Sequence, residues 1–287
     1  APTLERAIES TLIQNVDAEI IIVDDGSWDD SGDIIKQYAL RPGFRTFSQK
    51  NAGRSIALNN GIRYASGNYV TFLDADDSLT ENSLGSRIDF LENNPGFGGV
   101  YTDANHVDAS GAFLSRRNAT PLPCRNIPLA FHKDFFVPFA TVTGLYKTSA
   151  VKEIGGFDKR YRRAQDVDFM VRFSSRFDMG YLDTVTYNYT VDTHSPLKRI
   201  KNRIVGMHSY RNMIRDHYGS AGFPLMLKNQ AFETLKLGYE LFFSNKNPVA
   251  DAKNVLKTLY ATVFKGYVSN GFESVASSYS DSSVLER

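Results

Sequence analysis

The chain has 287 residues, of which 42% are hydrophobic and 23% are charged. This is the composition of a folded globular protein, and it excludes disorder as the main state. The 33 Lys and Arg residues almost balance the 32 Asp and Glu residues, so a net charge of +1 gives no reason to expect a nucleic-acid partner.

Cysteine and histidine usage argues against a disulfide-stabilised protein and against a zinc protein. A single cysteine, Cys124, cannot form an intrachain disulfide, and the five histidines show no zinc-ligand spacing. The sequence shows no uncharged apolar run of about eighteen residues and no signal peptide at its start. We therefore expect a cytoplasmic protein, with the cytoplasmic face of the membrane as an alternative location.

The first 102 residues alternate amphipathic stretches with short apolar runs, which predicts an α/β fold with a mostly parallel sheet flanked by helices. The first helix carries Leu4, Ile8 and Leu12 on one face, and the β-branched run at 20–23 predicts a buried strand. Further helix and strand pairs are expected at 31–38 with 44–48, 55–65 with 69–73, and 80–91 with 99–102. Because such sheets normally begin with a strand, we expect a first strand to be missing from the printed chain.

The rest of the chain changes character twice. Prolines interrupt residues 103–196, which predicts loops and several short strands, and long helical patterns follow at about 197–217, 224–243 and 248–268. Residues 274–283 contain six serines and predict disorder. We predict a domain at 1–196 with halves at 1–102 and 103–196, a helical appendage at 197–270, and a disordered tail at 271–287.

Acidic clusters follow two of the predicted strands, with Asp-Asp-Gly-Ser at 24–27 and Asp-Ala-Asp-Asp at 74–77. Loops at the carboxyl ends of parallel strands line the ligand crevice of such sheets. Carboxylates gathered there repel each other unless a cation or a hydrogen-bond donor is supplied. The two clusters therefore suggest a metal and a ligand.

Asp74 and Asp76 have the spacing that places two side chains on the same side of an extended segment. Their oxygens would suit Mg²⁺ or Mn²⁺, ions that commonly bind substrate phosphates and so point to a nucleotide diphosphate. The alternative is that Asp77 caps the following helix and the other carboxylates are simply solvated.

Two more motifs precede predicted helices. The first is Asn-Ala-Gly-Arg-Ser at 51–55, a turn that could place backbone N–H groups and Arg54 near an anion. The alternative is that Arg54 is a surface arginine in the first turn of the helix. Gly-Gly-Phe-Asp at 155–158 is followed by a basic run and by Asp166 at a helix start, where a carboxylate can also serve as a cap.

Taken in order, these four motifs closely resemble the family 2 glycosyltransferases of the GT-A fold, over about residues 3–195. The resemblance implies an inverting transfer of a hexosyl or N-acetylhexosaminyl group from a nucleotide diphosphate sugar, most often a UDP-sugar. It implies a divalent metal, Mn²⁺ or Mg²⁺, and a saccharide or lipid-linked glycan acceptor, as in polysaccharide biosynthesis.

The resemblance also implies roles for single residues. Asp25 is similar to the residue that accepts the uracil N3–H, and Arg54 to a basic residue near the nucleotide. Asp74 would lie by the ribose and the metal, and Asp76 resembles the main metal ligand. A carboxylate is a natural acceptor for an imide N–H, and a divalent ion offsets charge on a leaving diphosphate.

Asp166 resembles the catalytic base, although Gln165 stands where the family commonly has Glu. His194 lies where many relatives have a loop that closes on the diphosphate, so we expect it at the donor site or, alternatively, at the surface. The sole tryptophan is Trp28 and no Gln-x-x-Arg-Trp motif is present, which argues for a non-processive enzyme.

Two other classes stay open. A sugar nucleotidylyltransferase would need a glycine-rich loop with Arg and Lys, which the printed sequence does not show. An inactive nucleotide-sugar-binding or partner-docking module would be built around 197–268. From Lys198 to Arg215 there are six basic and no acidic residues, which predicts either docking to an anionic lipid or glycan, or a solvated helix face.

Overall fold

A computed structural model describes residues 2–121, 139–191 and 196–222, and the side chains of this last segment from residue 205 onward. The chain divides into two compact units, 1–193 and 194–287. The finer domain boundaries expected from the sequence stay predictions. Within the described residues, no helix is long and apolar enough to cross a membrane.

The N-terminal part of the first unit alternates helices and strands as predicted. Its elements are α1 (Pro2–Leu12), β1 (Ile20–Asp24), α2 (Ser31–Tyr38), β2 (Phe44–Ser48) and α3 (Arg54–Tyr64). The apolar faces of α1, α2, β1 and β2 meet in one core, whose buried residues are Leu4, Ile8, Ile34, Tyr38 and Phe44. Burial of these apolar faces stabilises the short helices, since isolated helices of this length are marginal in water.

Strands β1 and β2 are parallel, in a register that runs from Ile20 opposite Phe44 to Asp24 opposite Ser48. They form a two-stranded sheet of their own, and β1 pairs with β2 alone among the described residues. The first strand expected before this region stays a prediction.

The other strands form a six-stranded sheet. Its elements, with the helices between them, are β3 (Tyr69–Val70), β4 (Ser78–Leu79), α4 (Ser83–Asn93), β5 (Gly99–Val107), β6 (Phe113–Arg117), a 3₁₀ turn (Thr141–Thr143), β7 (Leu145–Lys147), α5 (Thr148–Glu153), α6 (Gln165–Ser174) and β8 (Met179–Thr190). The strand order is β3-β7-β5-β8-β4, and β6 pairs with β5.

The predicted α/β class is confirmed, but the pairing is mixed. The two longest ladders, β1 with β2 and β5 with β8, are parallel, whereas the four shorter pairings are antiparallel. Parallel neighbours need a long crossover, which α2 supplies between β1 and β2 and α5 and α6 supply between β5 and β8. The tight turn at 108–111 can only return an antiparallel strand, β6.

Three sequence-based boundaries differ from the structure. The strand expected at 69–73 stops at Val70, because only Tyr69 and Val70 pair with β7, and the Thr71 hydroxyl then donates to the carbonyl of Gly144. The helix expected from residue 80 begins at Ser83, because residues 78–79 pair with β8 instead. The middle region holds long strands, β5 and β8, rather than only short ones, because these two pair along most of their length.

An aromatic core fixes α6 beneath the loop that follows β3. Phe72, two residues before the acidic cluster, makes edge contacts with Phe157 and Phe169, at ring distances of 5.0 and 6.0 Å. Phe157 stacks on Phe169 at 4.6 Å. Since Phe169 lies one turn after Asp166, this packing sets the position of Asp166 relative to the acidic loop.

The second unit begins with the helix α7 (Pro196–Tyr218), which confirms the helix predicted at 197–217. A 3₁₀ turn follows at Gly219–Gly222. The helices predicted at 224–243 and 248–268 and the tail at 271–287 lie outside the described residues.

Candidate active site

The acidic loop after β3 is a tight turn in which the amide of Asp77 donates to the carbonyl of Asp74 at 3.1 Å. Each of Asp74, Asp76 and Asp77 can bring one carboxylate oxygen to within 4.8 Å of the others. The expected extended arrangement of Asp74 and Asp76 is therefore wrong, because it is the turn that gathers their carboxylates. The turn also brings in a third acidic group.

Asp77 is 1% exposed and anchors this turn to β8. Its carboxylate accepts hydrogen bonds of 2.7 Å from the Tyr187 hydroxyl and from the amide of Thr190. Burial raises the pKa of Asp77 to about 6. The alternative in which Asp77 caps the next helix is wrong, since α4 begins at Ser83. Its partners are more than 100 residues away along the chain, so no local sequence pattern indicates this role.

Asp76 is exposed, and its main chain is held from two sides. Its carbonyl oxygen accepts hydrogen bonds from Arg6 Nη2, at 2.8 Å, and from the Thr190 hydroxyl. Arg6 also donates to Thr190 and to the carbonyl of Ala109 at 3.0 Å. Because the carbonyl is already engaged by two donors, the carboxylate is the part of Asp76 free to meet a cation. Arg6 is a site-supporting residue that the sequence motifs did not reveal.

Asp74 and Arg54 form the ion pair of the site, with 2.8 Å between Arg54 Nη2 and Asp74 Oδ1. Burial raises the pKa of Asp74, and Asp76 and Asp166 raise it further, while Arg54 opposes the rise. Arg54 is an exposed arginine that is paired with Asp74, and its role at the nucleotide stays a prediction. Arg54 offsets only part of the negative charge gathered here.

Asp166 lies in the first turn of α6, as predicted, but it is not the helix cap. The cap position is Ala164, and the Asp166 carboxylate accepts from the neighbouring amide of Val167, at 3.0 Å. Burial raises the pKa of Asp166, and Arg54 opposes the rise. Its carbonyl accepts from the Thr141 hydroxyl at 3.1 Å, which ties α6 to the 3₁₀ turn. A half-buried carboxylate with a raised pKa is a stronger base than an exposed aspartate.

The other acidic loop, after β1, is arranged differently. The Asp25 carboxylate accepts from the amides of Ala52 and Gly53, at 2.8 and 2.9 Å, and from Gln49 Nε2 at 2.8 Å. Gly26 has a φ of +76°, and a Cβ there would lie 2.8 Å from the Asn51 nitrogen, so the close approach of the two loops needs glycine. The backbone amides of Ala52 and Gly53 in the 51–55 turn thus already bind the Asp25 carboxylate.

The structure thus brings together four of the predicted site residues, which are Arg54, Asp74, Asp76 and Asp166. Asp25 lies in its own hydrogen-bonded loop beside the start of α3. His194 lies outside the described residues.

Comparison with known proteins agrees with this arrangement. The profile of "Glycosyl transferase family 2" matches residues 1–152, which is more than half of the chain. The chain belongs to glycosyl transferase family 2. Membership in this glycosyltransferase family favours that class over the sugar nucleotidylyltransferase alternative.

Relatives of this family 2 domain include the chondroitin synthase of Escherichia coli, which is 29% identical over 186 residues. The matched region is 64% of this chain and 26% of that protein. The chain spans about a quarter of the length of the first curated relatives it matches.

Solved structures show the same fold. The S. aureus TarS fragment 1–349 is similar with a TM-score of 0.58 at 17% identity, over 91% of this chain and 77% of that one. The mannosyltransferase PcManGT from Pyrobaculum calidifontis, solved with GDP-Man and Mn²⁺, has a TM-score of 0.56 at 18% identity, over 98% and 75%. These similarities confirm the predicted GT-A-like fold of the family 2 domain.

The acidic turn of this glycosyltransferase fits a divalent metal. Carboxylate oxygens are the ligands that Mg²⁺ and Mn²⁺ prefer. Asp77 already accepts two hydrogen bonds, which leaves Asp76 and Asp74 as the main oxygen donors of the turn. The roles of Asp74 and Asp76 as metal ligands stay a prediction, which this turn is able to accommodate.

Proposed function

We propose that this domain transfers a sugar from a UDP-sugar to a saccharide or lipid-linked glycan, with inversion at the anomeric carbon and with the help of Mn²⁺ or Mg²⁺. The observation that carries the proposal is the acidic turn itself, in which Asp74, Asp76 and Asp77 each have a carboxylate oxygen within 4.8 Å of the others and Asp74 is paired with Arg54. Against the effect of burial, the charges of Asp74 and Asp166 both raise the pKa of Arg54, which supports placing the candidate base near this candidate cation site. TarS, which has this fold, has been solved with UDP-GlcNAc.

In this proposal the donor is held by the residues that the motifs identified. Asp25 offers an acceptor to the uracil imide, since its two oxygens have about four lone-pair sites and three are used. Asp74 and Asp76 hold the metal, Arg54 contacts the diphosphate, and His194 stays a predicted donor-site residue. When bound, the metal offsets the negative charge that develops on the leaving diphosphate.

The step assigned to Asp166 is a proton transfer. Its carboxylate accepts the proton of an acceptor hydroxyl as that oxygen bonds to the anomeric carbon, and the bond from that carbon to the diphosphate oxygen breaks. Attack opposite to the leaving group inverts the anomeric centre. The raised pKa of Asp166 makes it a stronger base than an exposed aspartate, while the positive charge of Arg54 favours its ionised form.

The experiment measures sugar transfer and UDP release with a panel of UDP-sugars, with and without added Mn²⁺. Asp166→Asn should lower the transfer rate by roughly two to four orders of magnitude, because it keeps the size but removes the base. The affinity for UDP should not change. Asp33→Asn, an exposed aspartate in the first turn of α2, is the matched control.

Near wild-type transfer by the Asp166→Asn variant would exclude Asp166 as the base. Asp168 would not be a simple replacement, because its buried carboxylate is engaged by Arg172 Nε and Nη2 at 2.9 and 2.6 Å. Retention at the anomeric carbon of the product would contradict the inverting mechanism independently.

A location at the cytoplasmic face of the membrane is a separate part of the proposal. The stretch from Lys198 to Arg215 in α7 carries six basic residues and no acidic ones. Such a stretch binds anionic lipid surfaces by charge attraction at low salt. Sedimentation with liposomes should be greater for anionic than for neutral lipid, and equal sedimentation would refute this contact.

A further inference from the structure

Helix α4 carries an arginine, Arg87, whose side chain is completely buried. Within the residues that the structure describes, no carboxylate pairs with its guanidinium. Burial lowers the pKa of Arg87 to about 10, so the side chain is still positively charged at neutral pH. Burying a cation without a carboxylate partner is unfavourable unless its N–H groups are hydrogen-bonded. The position of Arg87 is therefore explained by the groups that its guanidinium binds.

The hydrogen bonds of Arg87 join three segments of the fold. Within α4, Arg87 Nε donates to the carbonyl of Ser83 at 3.0 Å and Nη2 donates to the Ser83 hydroxyl at 2.8 Å. Arg87 Nη1 donates to the Thr71 hydroxyl at 3.2 Å and to the carbonyl of Gly144 at 3.1 Å. The Thr71 hydroxyl donates to the same Gly144 carbonyl at 2.7 Å. The planar guanidinium thus fixes the segment after β3 against the end of the 3₁₀ turn.

Both of these segments lead directly to the candidate active site. Thr71 precedes Asp74, the first carboxylate of the acidic turn, by three residues. The 3₁₀ turn on the other side contains Thr141, whose hydroxyl donates to the carbonyl of Asp166 at 3.1 Å. Arg87 therefore links the loop that carries the candidate metal ligands to the turn that holds Asp166.

A buried tyrosine of β7 keeps the 3₁₀ turn in place. The hydroxyl of Tyr146 donates to the carbonyl of Thr141 at 2.9 Å. The Tyr146 ring packs against Phe72 and Phe169, at ring distances of 6.0 and 5.2 Å. A Cβ at Gly144 would overlap the Tyr146 hydroxyl, so this close approach needs glycine. The turn that contacts Asp166 is thus held to the aromatic core as well as to the buried guanidinium.

We propose that Arg87 is a positioning residue of the transfer reaction, which sets the separation between the acidic turn on the donor side and Asp166 on the acceptor side. This inference rests on the proposed function, because it needs donor and acceptor to meet between these two groups. A misplacement of about 1 Å can lower the rate of such a reaction about a hundredfold. Arg87 itself contacts neither substrate, so it acts on the rate of the chemical step and not on substrate binding.

The test measures the transfer rate in single turnovers with the UDP-sugar on which wild type is most active. Arg87→Lys keeps the charge but loses the planar fork, and it should lower this rate roughly tenfold to a hundredfold. The KM for the UDP-sugar, and the affinity for UDP in the presence of Mn²⁺, should stay within about twofold of wild type. Thr71→Val removes the hydroxyl that lies between Arg87 and Gly144 while keeping the size of the side chain, and it should also lower the rate.

Two comparisons separate positioning from a merely structural role. Glu19→Ala is the matched control, because the Glu19 carboxylate also joins two segments, accepting from the amides of Ser66 and Gly67 at 2.6 and 2.9 Å. Glu19 lies before the start of β1, at the opposite end of that strand from the acidic loop, so its loss should lower stability to urea without lowering the transfer rate. If Arg87 and Thr71 act as one unit, the double variant should be no slower than Arg87→Lys alone.

Several results would overturn the inference. A wild-type rate in Arg87→Lys, together with lower stability to urea, would make Arg87 a purely structural residue. A parallel loss of Mn²⁺-dependent UDP affinity would mean that it supports the acidic turn alone. If Arg87→Lys does not fold, Thr71→Val and Thr141→Val replace it, and normal rates in both would refute the positioning role while the proposed function stands. If wild type transfers no sugar at all, the proposed function fails and the inference falls with it.

Discussion

Two acidic loops of similar composition, at 24–27 and 74–77, serve different ends in this protein. The first supplies Asp25, whose carboxylate has three N–H donors from the facing loop. The second gathers three carboxylates within 4.8 Å, with Arg54 as the cation paired to Asp74. A carboxylate with several N–H donors stabilises the protein by itself, whereas crowded carboxylates with few donors require a cation.

This difference implies a division of labour in donor binding. The loop at 24–27 should affect protein stability and metal-independent nucleotide binding. The turn at 74–77 should affect metal binding and, through Arg54, the ionisation of Asp166. Variants in the two loops can therefore be told apart by whether their defects depend on the metal.

Among the variants that compare the two loops, the largest expected effect is the loss of metal binding in Asp76→Ala. Removing an exposed carboxylate ligand should weaken Mn²⁺ binding in the presence of UDP by roughly a hundredfold, because the charge and number of oxygen ligands set the affinity. Calorimetric titration of Mn²⁺ measures this affinity, with Asp33→Ala as the control. An unchanged Mn²⁺ affinity would show that the turn at 74–77 is not the metal site.

The reciprocal variant, Asp25→Ala, should destabilise the fold without this metal effect. It leaves the amides of Ala52 and Gly53 without their acceptor, which should cost about 2 kcal/mol of unfolding free energy. Urea unfolding measures the cost, and Mn²⁺ titration checks that metal affinity in the folded variant is retained. A loss of Mn²⁺ affinity as large as that of Asp76→Ala would abolish the distinction between the two loops.

The pH dependence of the transfer rate should reflect the ionisation of Asp166 and the charges near it. Because burial raises the pKa of Asp166, the base is ionised only above that elevated pKa. The rate should fall about tenfold per pH unit below it, at a pH higher than an exposed aspartate would give. Arg54→Gln removes an opposing charge and should move this acid limb to still higher pH. A limb that stays in place in that variant would mean that Arg54 does not act on Asp166.

A smaller effect is expected for Arg6→Gln, which removes a donor from the carbonyl of Asp76. The turn at 74–77 should loosen and the Mn²⁺ affinity should drop a few-fold, with UDP binding in the absence of metal unchanged. Arg6→Lys should restore part of the affinity. Arg45→Gln is the matched control, because Arg45 also donates to a backbone carbonyl, that of Tyr64, at 2.7 Å. Equal losses of Mn²⁺ affinity in the Arg6→Gln and Arg45→Gln variants would contradict a local role.

Local patterns were sufficient for the helices and for the placement of the motifs. The apolar spacing of Leu4 and Ile8 predicted α1, and Asp166 was expected at the start of a helix, where α6 places it. The predicted element boundaries that were wrong lie where pairing between distant strands determines the secondary structure. Residues 78–79 became β4 because β8, more than 100 residues later, pairs with them.

The sequence by itself determined the order of helices and strands, the two acidic loops and the resemblance to family 2 glycosyltransferases, because each of these depends on residues close together along the chain. The tertiary structure alone decided which carboxylates are satisfied. Asp25 finds an amide donor 28 residues away, Asp77 finds its hydroxyl donor 110 residues away, and Arg6 reaches Asp76 across 70 residues. Hydrogen-bond partners at such separations are chosen by the packing of the sheets and helices, and no local pattern encodes them.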